Sequence, residues 1–260
     1  MARAEALRTR QSMAPQKTRA ILLQILPYRE SSGIVYLYTE RSGLVHGIAK
    51  GIRRSGKQAQ PFERGMLIEC LVYERPQRSL HTLGSLAVLE YFPSLRRDLL
   101  CSAMRDAAFE MIIRSMHPDE PHQPLFDYLL AFLEHMDTGS AAFPFALWRF
   151  YLDFARLMGF GIDLSRCGMC GGVLRPENGC ALIVERGLAA CDQCTSPCDA
   201  RRLPPALLIG TDQPGSSPKQ LEQLPRAEQM RITRLLAAFC RHHFDLRSEL
   251  RSLDFVCEII

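Results

Sequence analysis

Apolar residues first recur at strand spacing. From Ala20 to Tyr28 they are dense, with Ile and Leu dominant. Ser31 and Ser32 break the run, and Ile34 to Thr39 follows, rich in the β-branched and aromatic residues that suit a half-buried pleat. Arg41-Ser42-Gly43 has hairpin-turn chemistry, since Gly43 is able to take a positive φ. Leu44 to Ala49 predicts a third strand. Met66 to Tyr73 and Leu80 to Tyr91 predict two more. Between the third and fourth lies Lys50-Gly51-Ile52-Arg53-Arg54-Ser55-Gly56-Lys57-Gln58, too polar to fill a core. Five short strands suit a small closed barrel, which leaves no sheet edge exposed.

From Leu95 the period becomes helical. Leu99, Met104, Ala107, Ala108, Met111 and Ile112 keep to one stripe until Pro118 and Pro121. Further helices are predicted over Leu125–Met136 and Phe143–Phe160, the latter stopped at Gly159. A cysteine segment occupies 164–200, a short apolar stretch Leu203–Ile209, and a Gly/Pro/Ser-rich loop Gly210–Pro218. A long helix over Arg226–Leu246 and a short one over Ser248–Phe255 close the chain. The fold class expected is multidomain α+β, a barrel followed by a mostly helical domain with an inserted cysteine segment. The expected boundaries are 1–17 for a basic extension, 18–93 for the barrel and 94–260 for the helical domain.

The 260 residues, 47% of them hydrophobic, are enough for two modest domains. No apolar run approaches the roughly 18 residues that span a bilayer. Arg3, Arg8, Arg10, Lys17 and Arg19 lead the chain without an apolar h-region. A short disordered basic arm is therefore expected rather than a secretory signal, and Glu5 argues against an organelle-targeting peptide. The net charge of +4 is divided unevenly. Residues 1–100 hold 16 Lys+Arg against 8 Asp+Glu, and residues 101–260 hold 16 against 20. A basic front and an acidic back point to a polyanion for the front, although charge can also serve solubility alone.

Four of the ten cysteines form two C-x-x-C pairs, Cys167-Gly168-Met169-Cys170 and Cys191-Asp192-Gln193-Cys194. In a reducing compartment such pairs bind metal or do redox work. Each pair aims two thiolates at one point. Two pairs close a tetrahedron around one structural zinc ion per chain, with no open position for a substrate. Ala181 to Val184 could be a strand of the intervening ribbon. Cys180 and Cys198 are substitute ligands in principle, but the matched spacing favours the first four. Cys70, Cys101, Cys240 and Cys257 sit among apolar residues and read as core.

Arg29, Arg41, Lys50, Arg53, Arg54, Lys57 and Arg64 gather around the turns of the expected barrel. The forked guanidinium is suited to phosphate. Tyr36, Tyr38, Phe62 and Tyr73 are either base-stacking platforms or barrel core. No catalytic set is present: there is no P-loop, G-x-S-x-G or H-E-x-x-H, and His242-His243 reads as packed or surface histidine. A non-enzymatic protein is expected.

In order and spacing, several stretches resemble the bacterial recombination mediator family RecO. They are Ile34-Val35-Tyr36-Leu37-Tyr38-Thr39-Glu40 with Gly43-Leu44, Ala49-Lys50-Gly51-Ile52-Arg53-Arg54, and Glu90-Tyr91-Phe92-Pro93-Ser94-Leu95-Arg96. Further on are Arg149 through Gly159, Leu164-Ser165-Arg166 leading into the first cysteine pair, and Leu246-Arg247-Ser248. The resemblance runs from about residue 18 to the end. It implies an N-terminal OB-fold, a helical C-terminal domain and a four-cysteine zinc site. It also implies a bacterial, cytoplasmic, nucleoid-associated protein that binds single- and double-stranded DNA and anneals complementary strands. Its expected partners are RecR and the C-terminal tail of single-strand-binding protein, with RecF a further candidate, in the service of RecA loading. Arg149, on the helix before the cysteines, is the candidate cation for that tail. The principal rival is a zinc-ribbon transcription or translation factor, which shares the cysteines and the basic barrel. A zinc enzyme and a pure adaptor are the others.

Overall fold

The computed structural model describes residues 15–54, 61–75, 79–138, 144–175, 178–196, 201–204, 207 and 224–259. Two compact units are formed, one from 1–92 with 116–130 and one from 93–115 with 131–260.

In the first unit, β1 (Gln16–Tyr28), β2 (Ser32–Thr39), β3 (Gly43–Ala49), β4 (Leu67–Tyr73) and β5 (His81–Glu90) close a barrel in the order β1-β2-β3-β5-β4. All pairings are antiparallel except β3 with β5, which is parallel. This is the five-stranded Greek-key arrangement of the OB-fold. Strand β1 starts earlier than its apolar run, because Gln16 and Lys17 already pair with Val72 and Leu71. Lys17, placed by the sequence in the basic extension, belongs to the barrel and pairs with Glu69 at 2.8 Å. Residues 1–14 of that extension lie outside the described residues.

β1 carries a bulge between Leu22 and Gln24. The extra residue shifts the alternation, so Ala20 and Leu22 face the barrel core before it and Ile25 after it. Val35, Leu37, Val45, Ile68, Cys70 and Val72 complete the same core. Ile21, Tyr38 and Leu44 have the opposite parity, yet they are buried too. Residues 116–130 pack on that side. Leu44 bridges Pro118, the Asp119 N–H donates to the Leu44 carbonyl at 2.9 Å, and Arg19 lies 5.4 Å over the Phe126 ring. Gly43 has φ +65°, and a Cβ there would meet the Glu120 carbonyl oxygen at 2.0 Å. Turn geometry and close approach thus both exclude a side chain at this position.

The second unit holds α1 (Ser94–Arg97), α2 (Leu99–Ser115), α4 (Phe145–Leu157), α5 (Arg226–His243) and α6 (Arg251–Ile259), while α3 (Gln123–Asp137) is divided between the two. Trp148 is buried and donates through Nε1 to Thr233 Oγ1 at 2.8 Å, tying α4 to α5. Gly159 at φ +88° ends the α4 region, with the Phe160 N–H returning to the Ala155 carbonyl at 2.7 Å. Glu110 of α2 accepts from the Arg251 and Ser252 N–H groups at 3.1 and 2.8 Å, satisfying orphan donors at the start of α6. Arg114 reaches the Ser248 and Glu249 carbonyls at 2.7 and 2.6 Å, which anchors the stretch just after Leu246. Among the described residues, no helix is long and apolar enough to cross a membrane.

Candidate metal centre and nucleic-acid interface

The cysteine segment folds around a three-stranded sheet ordered β7-β6-β8, from β6 (Cys180–Ile183), β7 (Leu188–Ala190) and β8 (Arg202–Leu203). Its first knuckle closes through the Cys167 N–H to the Gly172 carbonyl at 2.7 Å and the Gly171 N–H to the Cys167 carbonyl at 2.8 Å. Gly171 takes φ +74° to make that turn. The second closes through the Cys194 and Thr195 N–H groups to the Cys191 carbonyl, at 3.0 and 3.1 Å. The Gly168 N–H donates to the Ala189 carbonyl at 2.8 Å, which seats the first knuckle on β7, where the second begins.

Cys167, Cys170, Cys191 and Cys194 thereby come together, their sulfurs all within 4.8 Å of one another. Cys170 and Cys191 are 3.7 Å apart. A thiolate tetrahedron with bonds of about 2.3 Å has edges of roughly 3.8 Å, so this set is sized for a metal ion. The Met169 and Cys191 N–H groups both donate to Cys167 Sγ at 3.4 Å. Burial works against ionising Cys167, but the N–H groups of Cys191, Cys170 and Met169 outweigh it and hold the thiol down to about 6. Cys194 is pushed up to about 12, chiefly by its hydrogen bond with Cys170 and then by burial. Without a cation, thiols this close compete for ionisation; a divalent ion allows all four to be thiolates. Cys180 stands apart on β6, buried, its thiol raised by that burial to about 12. Cys198 lies outside the described residues.

Arg202 of β8 pairs with Asp192 of the second knuckle. His243 at the end of α5 bonds through Nε2 to the Val184 carbonyl at 2.9 Å, and its ring packs on Phe239 and Phe160. Of the two adjacent histidines, this one joins helix to ribbon.

The barrel brings part of the basic set together. Tyr28 pairs with Ser32 and Gly33 with Ala49, so the β1–β2 turn and the segment after β3 share one end. There the Arg53 N–H donates to the Ser31 carbonyl at 3.0 Å and Arg53 Nη1 reaches the Arg29 carbonyl at 3.5 Å. Arg29 has φ 55° and its guanidinium lies 5.3 Å over the Tyr28 ring. Lys50, Arg53, Arg54 and Arg29 are all exposed on this rim, while Ile52 between them anchors the segment in the core. Arg41 is exposed in the β2–β3 turn, at the opposite end of the strands. Eight residues of β2 separate the two ends by roughly 25 Å. The structure therefore does not place Arg41 with the others. Arg64 is exposed before β4, and Lys57 lies outside the described residues.

The aromatic candidates separate as well. Tyr38 is fully buried, and burial pushes its phenol up. Phe62 packs against the barrel core, and Tyr73 covers Gly84. Tyr36 is half-buried on the outer face, its ring 4.3 Å from that of its cross-strand partner His46. Burial holds the His46 imidazole below its ordinary pKa, with Asp119 opposing that effect. His46 and Tyr28 were not among the residues expected from sequence. The alternation of β1 and β3 could have put both on the outer face.

The family model described as the recombination protein O N-terminal region matches residues 13–92, and the model of its C-terminal region matches 96–253. Three similar proteins are each named DNA repair protein RecO. The one from Geobacter metallireducens is 34% identical over 163 residues, 61% of this chain and 64% of its own length. That from Anaeromyxobacter sp. strain K is 30% identical over 244 residues, 90% of this chain and 94% of its own. That from Prosthecochloris aestuarii is 25% identical over 256 residues, 94% of this chain and 97% of its own.

Proposed function

Since the chain belongs to the RecO family, we propose that it binds single- and double-stranded DNA, anneals complementary strands and helps RecA load onto strands coated with single-strand-binding protein. A role in recombinational repair comes with the family. The observation that carries the finer reading is the rim of Arg29, Lys50, Arg53 and Arg54 on one end of the barrel. Annealing two polyanions needs cations to displace counterions and requires no covalent chemistry, so the protein acts as a mediator rather than a catalyst. Tyr36 on His46 and Tyr28 under Arg29 supply flat faces beside the rim for bases of any identity. Arg41, Arg64 and Lys57 remain candidates for a longer DNA path. The metal is zinc, since four thiolates in a closed tetrahedron suit its coordination preference and leave no site for a substrate. Held by Cys167, Cys170, Cys191 and Cys194, it supplies folding energy to the ribbon. RecR, and RecF beside it, are the proposed repair partners, in the bacterial cytoplasm at the nucleoid.

Arg149 is the proposed cation for the acidic tail of single-strand-binding protein. Its guanidinium donates to Asp153 at 3.1 Å and its side chain is 17% exposed, so an incoming carboxylate shares it with Asp153. Annealing rates on bare strands and on strands coated with single-strand-binding protein test the whole reading. Wild-type protein should accelerate both, and Arg149→Ala should slow the coated reaction selectively. Absence of acceleration on either substrate defeats the annealing role. Equal slowing of the two by Arg149→Ala defeats the tail assignment alone.

A further inference from the structure

The first cysteine knuckle carries a surface that neither the metal nor the barrel uses. Residues 165–167 and 172–174 form a small hairpin, in which the Leu174 N–H donates to the Ser165 carbonyl at 2.9 Å and Arg166 lies opposite Val173. Directly opposed residues share a face, and Arg175, two residues further along an extended chain, follows Val173. Cys167 and Leu174 have the other parity and are buried. At the tip, Met169 receives a hydrogen bond on its sulfur from Arg186 Nη1 at 2.9 Å. Met169 is 50% exposed and Val173 69%.

Two exposed apolar side chains thus each stand beside exposed arginines, Val173 opposite Arg166 and Met169 against Arg186, which reaches it from the turn between β6 and β7. Arg166, Arg175 and Arg186 make no ion pair among the described residues. Among the described residues the acids nearby are engaged or few. Asp163 accepts from the Ser165 N–H and Oγ–H at 2.8 and 2.6 Å and also feels the Arg166 N–H and charge, Asp192 is held by Arg202, and Glu185 remains exposed beside Arg186. A core of four thiolates and one divalent ion has a net charge of −2. The Met169 and Cys191 N–H groups disperse part of it at Cys167.

We propose that this knuckle tip is a second contact for a nucleic-acid strand, so that one chain holds two strands at once. Arg166, Arg175 and Arg186 take phosphates, and Met169 and Val173 pack against an unstacked base or its sugar. Cations of one sign around a rigid apolar point match a polyanion whose bases are flat and apolar on their faces. The inference rests on reading the barrel rim as a DNA site. It adds the partner that annealing requires, because two strands meet faster when both are held by one molecule.

The direct test uses the unaltered, metal-loaded full chain and a fluorescent oligodeoxythymidylate about 8 nucleotides long, short enough to fill one site. Titration should saturate at two oligonucleotides per chain. An iodouracil-containing version should photocross-link to two peptides, one spanning 166–175 and one in the barrel. Arg166→Glu with Arg175→Glu should retain metal content and Tm, reduce saturation to one, and remove the 166–175 cross-link. Arg166→Lys with Arg175→Lys should restore both. Lys50→Glu with Arg53→Glu should remove the barrel cross-link instead. Saturation at one oligonucleotide in the unaltered chain without a cross-link in 166–175 overturns the inference, whatever the variants do. Unchanged saturation in the Arg166/Arg175 glutamate variant overturns it too, as does loss only of binding to an acidic peptide such as oligoglutamate. If the Lys50/Arg53 variant keeps both sites, the barrel reading fails while the knuckle contact is judged by its own cross-link.

Discussion

Reversing two charges on the barrel rim separates DNA affinity from fold stability. In Lys50→Glu with Arg53→Glu, both altered side chains are exposed. What holds the segment is the Arg53 N–H to the Ser31 carbonyl and the burial of Ile52, and neither depends on the altered side chains. The side-chain bond removed, Arg53 to the Arg29 carbonyl, is long at 3.5 Å and exposed. Its loss should cost no more than about 0.5 kcal/mol, so Tm should barely move. Each lost phosphate contact on a single strand lowers the slope of log K against log salt by about 0.7, and two lower it by about 1.4. The ratio of wild-type to variant affinity should therefore fall about sevenfold between about 50 and 200 mM salt, on top of the added repulsion of the two carboxylates. Fluorescence anisotropy with labelled oligonucleotides of unrelated sequence, over a salt series, measures this directly. A variant with wild-type salt slope and affinity would refute the rim as the phosphate site. A loss confined to one base sequence would refute its indifference to sequence.

Cys191→Ser should lower zinc from one per chain toward zero and expose the 164–203 segment to protease, while the barrel stays resistant; metal analysis with limited proteolysis checks this. Glu110 is held below its ordinary pKa of 4.5: burial raises it, but the Ser252 hydroxyl and N–H, the Arg251 N–H and Arg114 together prevail. Its contribution is therefore full above about pH 4.5 and is lost as pH falls through the lower folded value. Glu110→Gln should cost about 1–2 kcal/mol near neutrality and progressively less below pH ~4, read from urea midpoints across pH. Gly43→Ala forces a Cβ into the Glu120 carbonyl at φ +65°. The left-handed backbone alone should cost about 1–2 kcal/mol, with the clash in addition, and a Tm unchanged from wild type would contradict the packing described.

The elements legible from sequence were those with a local signature. Strand alternation and turn residues marked all five barrel strands, and the dense run after Ala20 is explained by the parity shift at the bulge after Leu22 together with the packing of 116–130 on the other face. The cysteine cluster was legible because each knuckle is a four-residue event and only one long closure joins the two. The start of β1 was missed because Gln16, Lys17 and Thr18 are polar; their strand character comes from pairing with β4. The packing of 116–130 on the barrel was missed because Pro118 and Pro121 read only as helix breakers. What fixes that segment is the pair His81 Nε2–Asp119 at 3.0 Å and the Leu44–Pro118 bridge, contacts between residues far apart in the chain. The separation of Arg41 from the other cations is topological. A sequence shows that turns are basic, and strand direction decides which of them share an end.

That covering segment also decides which aromatic groups of β2 are available to the proposed DNA face. On β2, Tyr36 and Tyr38 have the same parity and similar chemistry, and sequence offers no reason to choose between them. Asp119 is held from two directions, its N–H on the Leu44 carbonyl and its carboxylate on His81. His81 in turn accepts the Arg75 N–H on Nδ1 at 3.1 Å, which leaves Nε2 as the proton-bearing nitrogen facing Asp119 when the ring is neutral. The buried face at that end of the barrel takes in Tyr38, Leu44 and Ile21. Tyr36 is two residues closer to the basic rim, backed by a His46 ring that burial disfavours from charging. A tilted aromatic pair near a cationic rim suits non-specific strand binding, which calls for flat surfaces for bases and separate charges for phosphates. The division of β2 into a covered aromatic and a half-buried one is therefore part of how the proposed DNA face is made, and it follows from a segment that lies more than seventy residues further along the chain.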